Sequence, residues 1–218
     1  MPLLTVQELS CERGGVPLFD HLNFSVNPGE LLQVLGPNGC GKTTLLRVLA
    51  GLSSSYSGKL AWKNQESLVP SEQNQFLYMG HKLGIKSMLT PMENLRWYVA
   101  SSLSATAGIA DKSDDDILNA LAHWQLLGYE HQPCYQLSAG QQQRVVLARL
   151  YLTNAALWLL DEPFTAIDQA GVAHLEMLLL SHAEKGGAAV LTTHHIFRQS
   201  ERLRFLPLQK TSLPQVTA

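Results

Sequence analysis

Residues 36–43 read Gly36-Pro37-Asn38-Gly39-Cys40-Gly41-Lys42-Thr43, a complete G-x-x-x-x-G-K-[ST] string, and nothing else constrains the chain as tightly. An apolar run, Leu31-Leu32-Gln33-Val34-Leu35, precedes it, and Thr44-Leu45-Leu46-Arg47-Val48-Leu49-Ala50, closed by Gly51, follows. Strand, loop and helix in that order is the setting in which such a string binds phosphate. Gly36, Gly39 and Gly41 let the backbone curl with its N–H groups pointing inward, where side chains would obstruct an anion. A helix beginning near Lys42 presents unpaired amides and the positive end of its dipole to the same anion. Lys42 is long enough to reach β- and γ-phosphates and the Thr43 hydroxyl suits Mg²⁺, while Pro37, Asn38, Cys40 and Thr44 complete the cradle. Chance should produce this string on the order of once per hundred chains of this length. An accidental glycine-rich turn is therefore the weaker reading.

A chain of 218 residues allows one large α/β domain with a small lobe, but not two full domains. The net charge is −2 and the basic residues are scattered, which argues against nucleic acid as the main partner. Cys11, Cys40 and Cys134 form no C-x-x-C pair, and an odd number does not make a disulfide framework. A reducing, cytoplasmic setting fits. Residues 1–8 lack a basic segment followed by an apolar block and do not read as a signal peptide. Apolar stretches such as residues 155–160 fall far short of the ~20 residues that a membrane span needs. Membrane work is expected to fall to a partner.

Residues 3–9 and 22–26 read as strands, the second ended by the turn Asn27-Pro28-Gly29. After the phosphate loop and its helix come Ser57-Gly58, a short strand at residues 59–62 and another at 75–79. From Pro91 to about Leu152 the pattern is helical, interrupted by the polar residues 101–116. Asp114, Asp115 and Asp116 start a helix through Trp124, where acidic side chains favour the dipole. Residues 155–160 and 188–192 predict buried strands. Between them Asp168 caps a helix with Val172, Leu175, Leu178, Leu179 and His182 on one face, ending at Lys185-Gly186. Strands alternating with helices predict an α/β fold: a mainly parallel sheet, a helical insert and a small N-terminal antiparallel lobe. The expected division is one domain over residues 1–218. Its nucleotide-binding core and β lobe occupy about 1–90 and 153–205, a helical subdomain about 91–152, and a tail 206–218.

Leu157-Trp158-Leu159-Leu160 runs into Asp161-Glu162. The first acid is placed to hold Mg²⁺ through water and the second to polarise an attacking water. On its own, such a pair is as readily a solvated strand end. Upstream, Gln136-Leu137-Ser138-Ala139-Gly140-Gln141-Gln142-Gln143-Arg144 sets a small Ser-Ala-Gly turn before a helix over 141–152. That makes a second phosphate cradle or, in isolation, an ordinary capped helix. Thr192-Thr193-His194 closes a strand, and a lone histidine there is more often structural.

In this order the pieces resemble the ATP-binding cassette (ABC) ATPase family, over almost the whole chain. The loop with Lys42 resembles its Walker A motif. Leu137-Ser138-Ala139-Gly140-Gln141 resembles the signature LSGGQ, with Ala139 in place of a glycine. Asp161-Glu162 resembles Walker B with its catalytic carboxylate, Thr165-Ala166-Ile167-Asp168 the D-loop, and His194 the switch histidine. The resemblance implies a P-loop NTPase fold, with ATP and Mg²⁺ as cofactors. It further implies two copies stacked head to tail, each ATP lying between one copy's Lys42 loop and the other's Ser138, Ala139, Gly140 and Gln141. Glu162 is then the general base, His194 holds γ-phosphate and water, and permease subunits turn closing and opening into movement.

Two departures stand out. Arg13, in Arg13-Gly14-Gly15, takes the place of the aromatic residue that stacks on adenine in the family. A guanidinium plane also stacks on a base; the alternative is that Cys11 or Glu12 lines the pocket. Where the family offers a glutamine, Tyr78-Met79-Gly80 leads to His81. A neutral imidazole can approach Mg²⁺ or the attacking water, and a plain structural histidine is the other reading.

Gly80-His81, Gly84-Ile85-Lys86, Leu89-Thr90, Glu93-Asn94-Leu95 and Cys11-Glu12-Arg13 are similar to the ATPase subunits of the cytochrome c maturation (Ccm) haem exporters. That resemblance implies ATP hydrolysis coupled to haem export, or to release of a haem chaperone. The place implied is the cytoplasmic face of a bacterial inner membrane, beside multi-spanning permease subunits. Residues 81–97, with the exposed-looking Leu83, Ile85, Met88 and Trp97, are the expected docking segment, and core packing is the other reading of each of these side chains. The alternatives are an ATPase of another ABC transporter and a non-transport ABC protein acting on ribosomes or DNA. The latter commonly carry two cassettes, a coiled-coil insertion or zinc cysteines, none of which this sequence has. A P-loop kinase leaves the Ser138 loop and His194 without roles. Cys40, beside a helix N-terminus and Lys42, is expected to be the most reactive thiol, unless its sulfur turns away from the phosphates.

Overall fold

The structure is a computed structural model and describes residues 1–63, 65–66, 76–103, 112–195, 197 and 200–209. Of the expectations above, Gln75, the polar stretch at 104–111 and the last part of the tail, 210–218, lie outside the described residues.

The chain opens with a hairpin of β1 (Leu4–Arg13) and β2 (Val16–Val26). Gly14 and Gly15 join them at φ 60° and 76°, the left-handed pair that a two-residue hairpin turn requires. Both strands run longer than their alternation predicts. Pairing slips between Val6 and Leu9 and again near Cys11, and Glu8 and His21 take positive φ (49° and 48°). Such bulges swing side chains out of the period-2 pattern. β3 (Leu31–Leu35) leads through the glycine loop into α1 (Lys42–Leu49). β4 (Ser57–Trp62) and β5 (Gln65–Glu66) return to the first sheet, giving the antiparallel order β2-β1-β4-β5.

β6 (Phe76–Met79) joins the sheet to which β3 belongs, and four α-helices follow: α2 (Pro91–Leu103), α3 (Asp114–His123), α4 (Ala139–Leu147) and α5 (Arg149–Leu152). Ser113 caps α3 through a reciprocal box with Asp116. Ser138 does the same for α4 with Gln141, so α4 starts at Ala139, two residues before the expected position, and one turn residue, Ala148, divides α4 from α5. β7 (Leu157–Asp161), α6 (Gln169–Glu184), β8 (Ala188–Thr192) and β9 (Leu203–Pro207) complete the chain. The second sheet is parallel, in the order β6-β7-β8-β3-β9. No stretch of the sequence announced β9. It is an edge strand with no buried residue, so it carries no hydropathy signal.

The parallel sheet is covered on both sides, which is why β7 and β8 read as unbroken apolar runs. Alternate residues face two cores. Leu157, Leu159, Ala188 and Val190 join α1 and the antiparallel sheet in one cluster. Trp158, Leu160, Ala189 and Leu191 join residues of α2–α6 in the other. No helix among the described residues is long and apolar enough to cross a membrane.

Candidate nucleotide-binding site

β7, β8 and β3 are neighbours in the sheet, so three loops leave adjacent carboxyl ends: Asp161-Glu162, Thr193-His194 and the glycine loop. Crevices outside the carboxyl ends of parallel strands are where ligands bind in open α/β sheets. The glycine loop holds Gly36, Gly39 and Gly41 at φ 154°, 80° and 100°. A Cβ on Gly36 would lie 2.5 Å from the Leu208 carbonyl oxygen and 2.6 Å from Cys40 Sγ, so only glycine fits. No side chain caps α1 at Gly41, which leaves its first amides for an anion. Lys42 Nζ folds across the loop, donating to the Gly36 carbonyl at 2.7 Å and the Pro37 carbonyl at 3.3 Å. The Cys40 N–H donates to the Pro37 carbonyl at 3.3 Å. A cavity of about 290 Å³ opens here, lined by Arg13, Leu18, Asn38, Gly39, Gly41–Thr44 and the two acids.

Asp161 is 5% exposed and its two oxygens differ. Oδ1 accepts from Thr192 Oγ1 at 2.6 Å and from Thr43 Oγ1 at 3.2 Å. Oδ2 is buried with no partner among the described residues. A buried carboxylate oxygen left unpaired beside a phosphate loop and a threonine hydroxyl suits a hard cation that takes most ligands from phosphate and water. Thr43 and Asp161 therefore fit Mg²⁺. The negative charge of Asp161 is felt next door: burial first, then Asp161, push the Tyr78 hydroxyl of β6 above its ordinary pKa.

Glu162 stands at φ 52°, a left-handed backbone uncommon outside glycine. Its N–H is held at 3.0 Å by both the carbonyl and the hydroxyl oxygen of Thr192. Its side chain is 24% exposed, with Oε1 3.9 Å from Nε2 of the largely exposed His194. A second cavity of about 200 Å³ shares the two acids with the first and is lined further by Gly80, His81, Leu83, Ala139 and Thr165. His81 thus opens onto the acids from the far side. It is exposed and makes no hydrogen bond or ion pair among the described residues.

Ser138, Ala139, Gly140 and Gln141 do not line the glycine-loop cavity. Ser138 Oγ accepts from the Gln141 N–H at 3.2 Å, and Gln141 Oε1 from the Ser138 N–H at 2.9 Å. Behind them α4 is fastened to the turn after Glu162. Gln143 Nε2 donates to the Pro163 carbonyl at 3.0 Å, and Arg144 Nη2 reaches both Asp168 oxygens at 2.8 Å. Asp168 also accepts from the Gly171 N–H, capping α6. That N–H, then Arg144, hold the Asp168 carboxyl below its ordinary pKa. Ala166 takes φ 63°, and its carbonyl oxygen would sit 2.7 Å from a Cβ on Gly140.

Arg13 lines the glycine-loop cavity, whereas Cys11 and Glu12 line a different one with Phe19, Asp20 and Tyr56. The reactive reading of Cys40 is overturned. Its side chain is 1% exposed, packed into the apolar cluster with its sulfur against Gly36. Cys11 and Cys134 are buried too, and burial raises both their pKa values. Under native conditions a maleimide should label Cys40 no faster than in the presence of Mg-ATP, and peptide mapping would show this. Rapid, ATP-protected labelling would mean that the loop opens. The sequence also hid Gln33, whose amide donates to the Thr193 and His195 carbonyls at 3.2 and 3.3 Å. The available signal was that it is the single polar residue of β3.

The description "ABC transporter" matches residues 19–165. The "Cytochrome c biogenesis ATP-binding export protein CcmA" of Hahella chejuensis is 46% identical over 213 residues, covering 97% of this chain and 98% of that protein. The protein of the same name from Escherichia coli O157:H7 is 45% identical over 214 residues, covering 97% and 99%. Among solved structures, a dimeric bacterial ABC transporter cassette superposes with a TM-score of 0.79 at 22% identity, covering 95% of this chain and 94% of that one. A cassette dimer bound to ADP and Pi gives 0.76 at 22% identity, covering 88% of each chain. These two speak for the fold.

Proposed function

This chain belongs to the ABC transporter family, and from that premise we propose that it is the ATP-hydrolysing subunit that energises haem export, or release of a haem chaperone, for c-type cytochrome biogenesis. Membership of the family, together with relatives named as ATP-binding export proteins, supports ATP hydrolysis coupled to export. The haem reading rests on near-full-length similarity to proteins named for cytochrome c biogenesis and export, together with the Gly80–Leu95 residues.

One observation carries the mechanism: both acids line the glycine-loop cavity, with His194 3.9 Å from Glu162, while Ser138–Gln141 stay outside that cavity. A second copy, head to tail, brings its Ser138 loop and the helix amides behind it onto the γ-phosphate. Lys42 swings from the Gly36 carbonyl to the β- and γ-phosphates, and Arg13 lies along the base. Glu162 takes a proton from water as the water oxygen attacks phosphorus, and the bond to the β-phosphate oxygen breaks. His194 donates to the γ-phosphate and holds that water in line. Thr43 and Asp161, the latter through water, would hold Mg²⁺; the chemistry supplied there is neutralisation of charge on the β- and γ-oxygens. His81 faces the same acids from the second cavity and stands at the edge of the attacking water.

Docking to a permease at the cytoplasmic face of the inner membrane falls to residues 81–97. Leu83 and Ile85, expected to be exposed, pack partly against the helical core. Met88 and Trp97 remain exposed at 76% and 47%, with Lys86 Nζ 4.0 Å above the Trp97 ring. Met88→Glu with Trp97→Glu should release the chain from the membrane fraction with ATP binding intact. Co-purification from membranes should bring integral partners down with the parent chain and not with this variant. Recovery with ribosomes, or equal recovery of both chains with membranes, would sink the respective parts of the reading.

A further inference from the structure

His194 and His195 leave β8 side by side but face opposite ways. His194 looks outward to Glu162. His195 turns inward, its Nε2 2.7 Å from Oε1 of Glu176, a carboxylate on α6 that is only 8% exposed. The imidazole lies 4.6 Å from the Phe164 ring and 5.5 Å from Phe197, both buried. Phe164 is two residues beyond Glu162, in the turn closed by the Thr165 N–H donating to the Glu162 carbonyl at 3.2 Å. The backbone of His195 is tied at both ends. Its N–H donates to Thr193 Oγ1 at 2.9 Å, and its carbonyl accepts from buried Gln33 at 3.3 Å.

A carboxylate withdrawn this far from water needs a donor, or it destabilises the fold. An apolar residue in its place would serve if filling the core were the only requirement. What the pair adds is direction. It fixes one ring against the turn of Glu162 and, one residue away, fixes the backbone from which His194 projects.

We propose that His195, anchored by Glu176, is a positioning residue for hydrolysis, setting His194 and the Glu162 turn in register without touching the nucleotide. This rests on the roles given above to Glu162 and His194. Misplacement of reacting groups by about 1 Å costs roughly 10²-fold in rate, so the effect belongs in kcat and not in ATP binding.

The test uses the full-length chain in membranes with its partners, measuring ATP turnover and nucleotide affinity. His195→Ala should lower kcat about 10- to 100-fold with KM for ATP changed less than about twofold. Glu176→Gln should move kcat in the same direction. His195→Gln, whose amide nitrogen can stand where Nε2 stands, should recover most of the loss. A packing role alone predicts the reverse order: Gln no better than Ala, and Glu176→Gln near the parent. That order, or a parental kcat in His195→Ala, overturns the proposal. If His195→Ala does not fold, the Gln variant and Glu176→Gln decide between the same two orders. Glu162→Gln in parallel separates the failures. An active Glu162→Gln removes the underlying reading of the site, whereas an inactive one beside an unimpaired His195→Ala removes only the anchor.

Discussion

Glu162→Gln should lower ATP turnover by about 10²–10⁴, the usual worth of a positioned general base, and should leave nucleotide binding in place. Glutamine keeps the length and hydrogen-bonding shape of the side chain. The backbone tie to Thr192 does not depend on the side chain at all. With binding intact and hydrolysis stalled, the ATP-bound dimer should accumulate. Size-exclusion chromatography with Mg-ATP would show the chain eluting at twice its mass. A variant that turns over at the parental rate takes Glu162 out of this role.

Asp161→Asn should separate stability from activity, in opposite directions. Asparagine keeps an oxygen for the Thr43 and Thr192 hydroxyls, which both meet Oδ1. At the unpartnered Oδ2 position it puts a neutral group where a charge was. An unsatisfied buried group costs about 1–3 kcal/mol and a charged one more. The nucleotide-free variant should therefore melt a few degrees higher, at roughly 2–4 °C per kcal/mol for a chain of this size. Turnover should fall by at least about 10²-fold, because charge on the β- and γ-oxygens is then poorly neutralised. Calorimetry without Mg²⁺ or nucleotide, paired with a phosphate-release assay, checks both signs. A lower melting temperature would mean that Oδ2 is already satisfied.

The parts of this molecule that could be read from its sequence are those whose environment is nearly uniform. β7 and β8 are buried on both faces and so are apolar up to their last residues, Asp161 and Thr192, and the glycine loop needs residues without Cβ atoms. α6 announces itself by Asp168 at its start and Gly186 after its end. Where neighbours from distant segments decide the outcome, one chain of letters falls short. Cys40 sits beside a helix N-terminus, but its sulfur is directed by contact with Gly36 into a cluster shared with β1, β3 and β4. Ile85 is apolar in either environment, and only the position of the helices behind it makes it half-buried. Gln33, Glu176 and His195 are ordinary polar letters until the fold brings 33, 176 and 195 together.

The order of the parallel sheet also sets a timetable for synthesis. β3 carries the phosphate loop, yet both of its neighbours, β8 and β9, come from the last part of the chain. As the polypeptide emerges from the ribosome, the residues of β3 appear early and remain without their strand partners until about 150 residues later. Throughout that interval an apolar strand with two open edges is exposed to mispairing. A prematurely terminated chain ending before Ala188 would carry the entire glycine loop and both acids but no closed sheet to hold them. Nucleotide affinity is thus expected only after β8 and β9 have paired with β3, long after the glycine loop itself has been made.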